Sequence, residues 1–334
     1  MRRFTIFIAG FLTLLAPELA VIPVWAQTQP KTNNQPNAGQ ALEIAPPVIT
    51  LTANPGQTIK TQILLRDISS SNLIVTGETN DFVAAGEDGT PKVLLSDEGN
   101  NPYSMKKWIV PPAQLSLVPR EVKSLTLTIN VPADASPGGH YGIVRFTGRA
   151  PSLQGTGFSL SASLGSLILL TVNGNVKEDL SIREFAVLHD GKVGKFFQSG
   201  PVSFRQRLVN NGNVHEQPVG QVVIKDMFGK KFAAVNVNLP PKNILPNSTR
   251  KFEEPLDSAV IGNKKLFGRY TATLSVTYAK DKKVATSSLT YWVVPYRLVA
   301  IIIAALVAGF FVLRFLIRRY NRYILNRTNR PHRK

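Results

Sequence analysis

Side chains suited to catalysis or metal binding are few and scattered in this 334-residue chain. It contains four histidines, at positions 140, 189, 215 and 332, and no cysteine. None of the histidines shows a spacing typical of metal ligands, and His140, beside a predicted turn, is expected to be structural. No nucleophile elbow, P-loop or dinucleotide-binding motif precedes a predicted helix. The sequence therefore predicts a protein that is not an enzyme and that needs no cofactor.

One aromatic and basic segment is a candidate ligand surface. Tyr103 lies close to Lys106, Lys107 and Trp108. Aromatic rings and cations at an exposed sheet edge suit a glycan or a protein ligand. The alternative is that Trp108 belongs to a core, because Ig-like sandwiches commonly bury one tryptophan.

Acidic residues also gather around one predicted loop. They are Asp81, Glu87, Asp88, Asp97 and Glu98. Carboxylate oxygens are the ligands that Ca²⁺ prefers, and calcium stabilises many extracellular β-proteins. The alternative is a solvated acidic loop without a metal ion. The sequence leaves both readings open.

The elements that position these residues begin with a signal peptide. Arg2 and Arg3 precede a run of apolar residues from Phe4 to Leu15, and small residues come before Gln27. This order is typical of a secretory signal, predicted here as residues 1–26 with cleavage after Ala26. Glu18 is unusual in such a segment, so an uncleaved anchor is the alternative.

A second apolar segment predicts a transmembrane helix over residues 296–317. Residues 298–313 are sixteen uninterrupted apolar residues, and about twenty helical residues span a bilayer core. Aromatic side chains at one end predict an interfacial belt of Tyr291, Trp292 and Tyr296. The other end carries cations expected at lipid headgroups, at Arg314, Arg318, Arg319, Arg322, Arg327, Arg330, Arg333 and Lys334. The positive-inside rule places the tail, residues 318–334, in the cytoplasm and the preceding domains outside the plasma membrane.

The distribution of charge argues against nucleic acid as a partner. The whole chain has a formal net charge of +18. Between residues 27 and 295, however, 28 Lys and Arg face 20 Asp and Glu, so the region expected outside the membrane has a net charge of +8. Much of the excess flanks the two membrane segments, where it sets topology or contacts anionic lipid.

The region outside the membrane has the pattern of an all-β protein. A Gln- and Asn-rich flexible leader, residues 27–40, precedes strands in which apolar and polar residues alternate. Turn signals separate the strands, and similar motifs recur in both halves. We therefore predict two tandem Ig-like β-sandwich domains, an outer one over residues 41–173 and a membrane-proximal one over residues 179–295. The absence of cysteine fits a bacterial surface.

Three segments resemble those of a known family. They are residues 51–57, 119–132 and 137–142, which read LTANPGQ, PREVKSLTLTINVP and PGGHYG. Together with the second β-domain, the helix and the basic tail, they resemble the bacterial WxL-interacting surface proteins. The resemblance implies an outer domain that binds peptidoglycan and partner surface proteins, and an inner domain that binds host or matrix proteins. It transfers no catalytic residue.

The sequence thus predicts a membrane-anchored surface protein for binding and adhesion. Its expected partners are membrane lipid, through the helix, and peptidoglycan or another surface protein. An alternative is a non-catalytic accessory or structural subunit of a secretion or transport complex, although residues 298–313 contain no polar side chain for assembly within the membrane. An enzyme is the other alternative, for which no set of acid, base and nucleophile is present.

Overall fold

The structure is a computed structural model that describes residues 42–95, 101–149, 162–200, 202–262 and 264–328. The predicted signal peptide and leader lie outside the described residues. The same holds for Asp97 and Glu98 of the acidic loop and for Arg330, Arg333 and Lys334 of the tail.

The first half of the described chain forms two packed sheets. One sheet has the strand order β1-β3-β7, and the other has the order β2-β9-β8-β4-β5, with β6 also paired to β4. The strands are β1 (Leu42–Ala45), β2 (Val48–Ala53), β3 (Thr58–Asp67), β4 (Leu73–Ala85), β5 (Thr90–Leu94), β6 (Leu115–Leu117), β7 (Val122–Asn130), β8 (Gly138–Arg149) and β9 (Ala162–Val172). β2 runs parallel to β9, and the other pairs are antiparallel.

The second half repeats this architecture. Its sheets have the orders β11-β10-β13-β16 and β12-β18-β17-β14-β15. The strands are β10 (Leu180–His189), β11 (Lys192–Val193), β12 (Phe196–Phe197), β13 (Val202–Asn210), β14 (Val219–Lys225), β15 (Lys231–Val237), β16 (Thr249–Leu256), β17 (Gly268–Tyr278) and β18 (Lys283–Val293). One short helix, α1 (Ser258–Ile261), follows β16.

Alternating burial explains why these sequences form sandwiches. In β13, the buried residues include Val202, Phe204, Gln206 and Leu208, and the residues between them are partly exposed. β3 shows the same alternation, with Ile63 and Leu65 buried. One core lies between the sheets of each half, since no residue of the first cluster belongs to the second. The predicted fold class is therefore confirmed: the protein is all-β, with two tandem Ig-like sandwiches and one C-terminal apolar helix.

The apolar helix, α2 (Tyr296–Thr328), follows β18 after two residues. Its segment from Tyr296 to Arg322 is long and apolar enough to cross a membrane, and none of it is buried against the sandwiches. At 1.5 Å per residue, these 27 residues measure about 40 Å. Both sandwiches therefore have complete cores without the helix.

Candidate ligand-binding cleft between the two domains

Backbone hydrogen bonds join the two domains at one edge. The amide of Gly139 in β8 donates to the carbonyl of Asn213 over 2.7 Å, and the Asn213 side chain donates to the carbonyl of Pro137 over 3.2 Å. Asn213 also accepts from the amide of Lys177, in the segment that links the domains. The segment that links the domains and the loop after β13 therefore hold the start of β8 in place.

An apolar cluster forms a second contact. The outer face of the β2-β9-β8-β4-β5 sheet carries Phe82, Tyr141, Ile143 and Leu169, all buried, and Leu245 of domain two packs against them. Because one face of this sheet contacts its own core and the other contacts domain two, its central strands are buried on both sides. The contact fixes the loop between β15 and β16 over domain one.

Two aromatic contacts and one buried titratable group lie beside this cluster. The Tyr141 ring lies 5.9 Å from Tyr103 and 5.8 Å from the His215 ring. Burial lowers the pKa of His215 from 6.5 to about 4, because the charged imidazolium loses its hydration there. Burial raises the pKa of the Tyr141 phenol. His215 is therefore neutral at neutral pH.

Charged side chains form a third contact. Arg207 of β13 binds Glu87, at the turn between β4 and β5, and also binds Glu184 at 3.2 Å. The hydrogen bond from Arg207 lowers the pKa of Glu87. The carbonyl of Glu87 also accepts from the amide of Lys251 over 2.7 Å. The three contacts act on different elements, so they oppose hinge motion about the link between the domains.

A cleft of about 510 Å³ remains open beside the apolar cluster. Its floor is the outer sheet face, with Val48 and Thr50 on β2 and Leu167 on β9. Its wall comes from the segment 241–250 of domain two, which contributes Lys242 and Arg250 to the lining. A second cavity of about 400 Å³ adjoins it and shares Phe82 and Leu245 with it. This volume suits a short peptide or a few sugar units.

Arg250 gives the cleft its electrostatic character. Its guanidinium donates to the carbonyl of Asn243 over 2.7 Å and to the carbonyl of Asp88 over 3.1 Å. These carbonyls fix the guanidinium. Partial burial lowers its pKa, and the charge of the nearby Asp88 carboxylate acts in the opposite direction. Together with Lys242, it favours an anionic group on a ligand whose remaining surface is apolar.

The edge of the floor is a further binding element. Among the described strands, β2 pairs only with β9, so one side of its backbone has no strand neighbour. Its outward-facing residues Thr50 and Thr52 are exposed. An unpaired strand edge can receive an added strand from a partner, with alternate side chains directed toward the floor.

The predicted aromatic and basic surface does not assemble. Tyr103 packs in the outer-face cluster, where its hydroxyl accepts from Asn247 over 2.9 Å. Trp108 instead packs against the main core of domain one and on the ring of His140, 4.4 Å away. The two rings thus lie on opposite faces of the sheet, and the alternative of a core tryptophan agrees with the structure. Lys107 is exposed and Lys106 is partly buried.

The acidic residues also have separate roles. Buried Asp81 accepts hydrogen bonds from the amides of Met105 and Lys106 and from the Ser104 hydroxyl, which holds the loop after residue 100. Glu87 lies in the contact between domains, and Asp88 binds Thr90 in its own turn. Within the described ranges, no three His, Asp or Glu side chains are placed to hold a metal ion.

One member of the predicted membrane belt requires correction. Tyr291 has 0% exposure and packs against Phe204 and Tyr270 in the core of domain two. Residues alternate between the two faces of β18, so Tyr291 points inward and Trp292 outward. Trp292 and Tyr296 are exposed where the helix begins. Arg314, Arg318, Arg319 and Arg322 lie exposed on α2, and Arg327 belongs to its last turn.

Sequence reasoning missed Arg250, Lys242 and the loop that forms the wall of the cleft. The only signal available was the cluster of prolines and asparagines around residue 244, which indicates a loop but not the surface it covers.

Comparison with solved structures gives matches at low sequence identity. No family model matches the chain, and no curated protein matches it. The class 5 fimbriae chaperone CfaA is similar at 17% identity and a TM-score of 0.35, over 76% of this chain and 99% of that chain. The E. coli chaperone DraB matches at 12% identity and a TM-score of 0.31, over 75% of this chain and 96% of that chain. A PapD-like domain of human CEP192 matches at 14% identity and a TM-score of 0.29, over 47% of this chain and 98% of that chain. Values this low transfer no function to this chain.

Proposed function

We propose that this chain is a non-catalytic binding protein of the bacterial surface, anchored in the membrane by α2, and that the cleft between its domains holds a partner. The observation that supports this most directly is the cleft itself. It combines an apolar floor, an unpaired strand edge and two cations, Lys242 and Arg250. None of these features requires chemistry at the bound molecule.

The shape of the cleft favours an extended protein segment as the ligand. A strand added beside Val48 and Thr50, at the start of β2, would satisfy the free backbone edge there and direct alternate side chains toward Val48 and Leu167. An acidic side chain or a terminal carboxylate on that segment would pair with Arg250. Peptidoglycan also carries carboxylates, so a wall polymer is the other outcome that the experiment must distinguish.

The orientation follows from the charges around the helix. Arg318, Arg319 and Arg322 follow the apolar segment, and under the positive-inside rule they support an orientation with the far end of α2 in the cytoplasm and both sandwiches outside. This arrangement fits what the resemblance to the WxL-interacting surface proteins implies, which is an outer domain that binds peptidoglycan and partner surface proteins and an inner domain that binds host or matrix proteins.

Two matched variants test this proposal in the full chain held in lipid nanodiscs. Thr50→Arg places a large side chain in the cleft, whereas Thr52→Arg adds the same charge to the same strand face outside it. Both positions are exposed, so neither change should unfold the domain. Binding is measured to insoluble peptidoglycan and to solubilised envelope proteins of the bacterium that makes this chain, at low and at high salt.

We expect one protein partner to be retained at high salt by the unmodified chain and by Thr52→Arg, and lost with Thr50→Arg. If only peptidoglycan shows this pattern, the ligand is the polymer. Equal retention by both variants would refute the cleft as the site. Loss of all binding at high salt would leave only nonspecific attraction to the basic chain.

A further inference from the structure

Exposed apolar side chains concentrate at one end of domain two. Phe196 is 77% exposed, Phe228 is 86% exposed and Phe267 is 60% exposed. Met227, Trp292 and Tyr296 are exposed at the same end. Soluble surfaces seldom leave so many large apolar side chains together in water, so a patch of this kind indicates a binding partner.

The strand register places this patch where the membrane helix starts. Phe196 pairs with Trp292 in the sheet, and their rings stack at 6.3 Å. Gly268, directly after Phe267, pairs with Val293. The turn containing Phe228 follows β14 beyond the pair of Lys225 with Thr271, which places it at the same end of the sheet. The side chains therefore come from segments that are far apart in the chain, and they surround the point where the chain leaves β18 toward α2.

Rigid elements hold the patch in position. Asp226 accepts from the amides of Phe228, over 2.9 Å, and Lys230, over 3.0 Å, which fixes the turn that carries Phe228. The amides of Trp292 and Val294 donate to the carbonyls of Lys195 and Phe197, over 2.7 and 2.8 Å. The chain therefore enters the helix from a strand that is hydrogen-bonded almost to its end.

The charge at this end suits an anionic surface. Exposed cations surround the patch, among them Lys195, Lys230, Lys264, Lys265 and Arg269. Three carboxylates lie there among the described residues, and each has a local partner: Asp226 in its turn, Asp257 at the amide of Ala259, and Asp190 at His189. Aromatic side chains ringed by cations are typical of segments that lie in a lipid headgroup layer.

We propose that this end of domain two is a second membrane-contacting surface, in which Phe196, Phe228 and Phe267 enter the headgroup layer of an anionic bilayer. Continuity with α2 identifies the occupant, since only Val294 and Pro295 separate β18 from the helix and any bilayer that α2 crosses lies against this end. The domain is then held upright on the membrane, and the cleft faces away from it. The inference does not depend on what the cleft binds.

The absence of cysteine allows a direct test in the full chain. Single variants Phe228→Cys and Phe267→Cys are labelled with an environment-sensitive dye and reconstituted in vesicles that contain anionic lipid. The matched controls are Leu239→Cys and Val284→Cys, which replace residues 67% and 58% exposed at the opposite end of domain two. Lipids with a nitroxide near the headgroup serve as quenchers.

We expect blue-shifted emission and at least twofold stronger quenching at positions 228 and 267 than at 239 and 284. Replacing Lys264 and Lys265 by glutamate should weaken the quenching at position 228 in anionic vesicles. Water-like emission and equal quenching at all four positions would overturn the proposal. A blue shift without lipid quenching would overturn it too, because it would indicate a protein contact.

Discussion

Acidification should weaken the contact between the two domains through His215. This side chain lies beside Tyr141, with its Nδ1 atom 3.5 Å from the phenol oxygen. Burial holds the pKa of His215 near 4 in the folded protein, against 6.5 for an exposed histidine. The folded state therefore resists protonation that the unfolded state accepts.

The sign and size of the effect follow from this difference. Because the folded pKa is depressed, the contribution to stability is complete above pH 6.5 and is lost as the pH falls from 6.5 toward 4. The whole loss is about 3 kcal/mol, of which about 1.3 kcal/mol falls between pH 7.5 and 5.5. That part lowers the midpoint of thermal unfolding by about 3–5 °C.

The contribution of His215 is measured by thermal unfolding of the full chain and of His215→Gln in detergent, from pH 7.5 to 5.5. Glutamine cannot be protonated, so the difference between the two curves isolates His215 from other titrating groups. Among these is its neighbour Glu216, whose pKa is raised by burial and whose effect has the opposite sign. We expect the two midpoints to converge as the pH falls. Parallel curves would refute a buried, neutral His215.

Three further predictions concern the cores, a loop and the topology. Phe204→Ala removes a ring with 0% exposure and should lower the free energy of unfolding by about 3–5 kcal/mol. Phe228→Ala in detergent should change it by less than about 0.5 kcal/mol, because that ring is exposed. Urea unfolding compares the two variants, and similar losses of stability would contradict the burial described. Asp81→Ala leaves the amides of Met105 and Lys106 without their acceptor and should lower the free energy of unfolding by about 3 kcal/mol. Hydrogen exchange at these two amides should become faster. Unchanged exchange would show that the carboxylate does not hold the loop. In intact cells, an impermeant maleimide should label Val284→Cys but not Arg330→Cys, and the reverse pattern would invert the topology.

Much of the fold is readable from the sequence because it depends on short-range periodicity. The alternation of Val202, Phe204 and Leu208 predicts one buried face, and the structure buries it. Tyr291 shows that a residue type alone does not predict a location when its position in the strand is ignored. Its aromatic ring suggested an interface with lipid, but its position in β18, on the same face as Val293, places it in the core.

The cleft could not be predicted in the same way. It depends on how two sandwiches meet, and the contacts that determine this join residues far apart in the chain, such as Glu87 with Arg207 and Tyr103 with Asn247. Arg250 is one of many basic residues in the sequence, and only the fold places it beside an apolar sheet face. The patch around Phe228 could not be predicted either, because its members come from segments that are far apart in the chain.

Photo-crosslinking in living cells tests the central claim most directly. A photoreactive phenylalanine analogue at position 50 lies in the cleft, and the same analogue at position 52 lies on the same strand face outside it. The account predicts a discrete adduct with one envelope component at position 50, and little or none at position 52. Equal adducts at both positions, or none at position 50 while the protein is correctly inserted, would contradict a cleft that binds a partner.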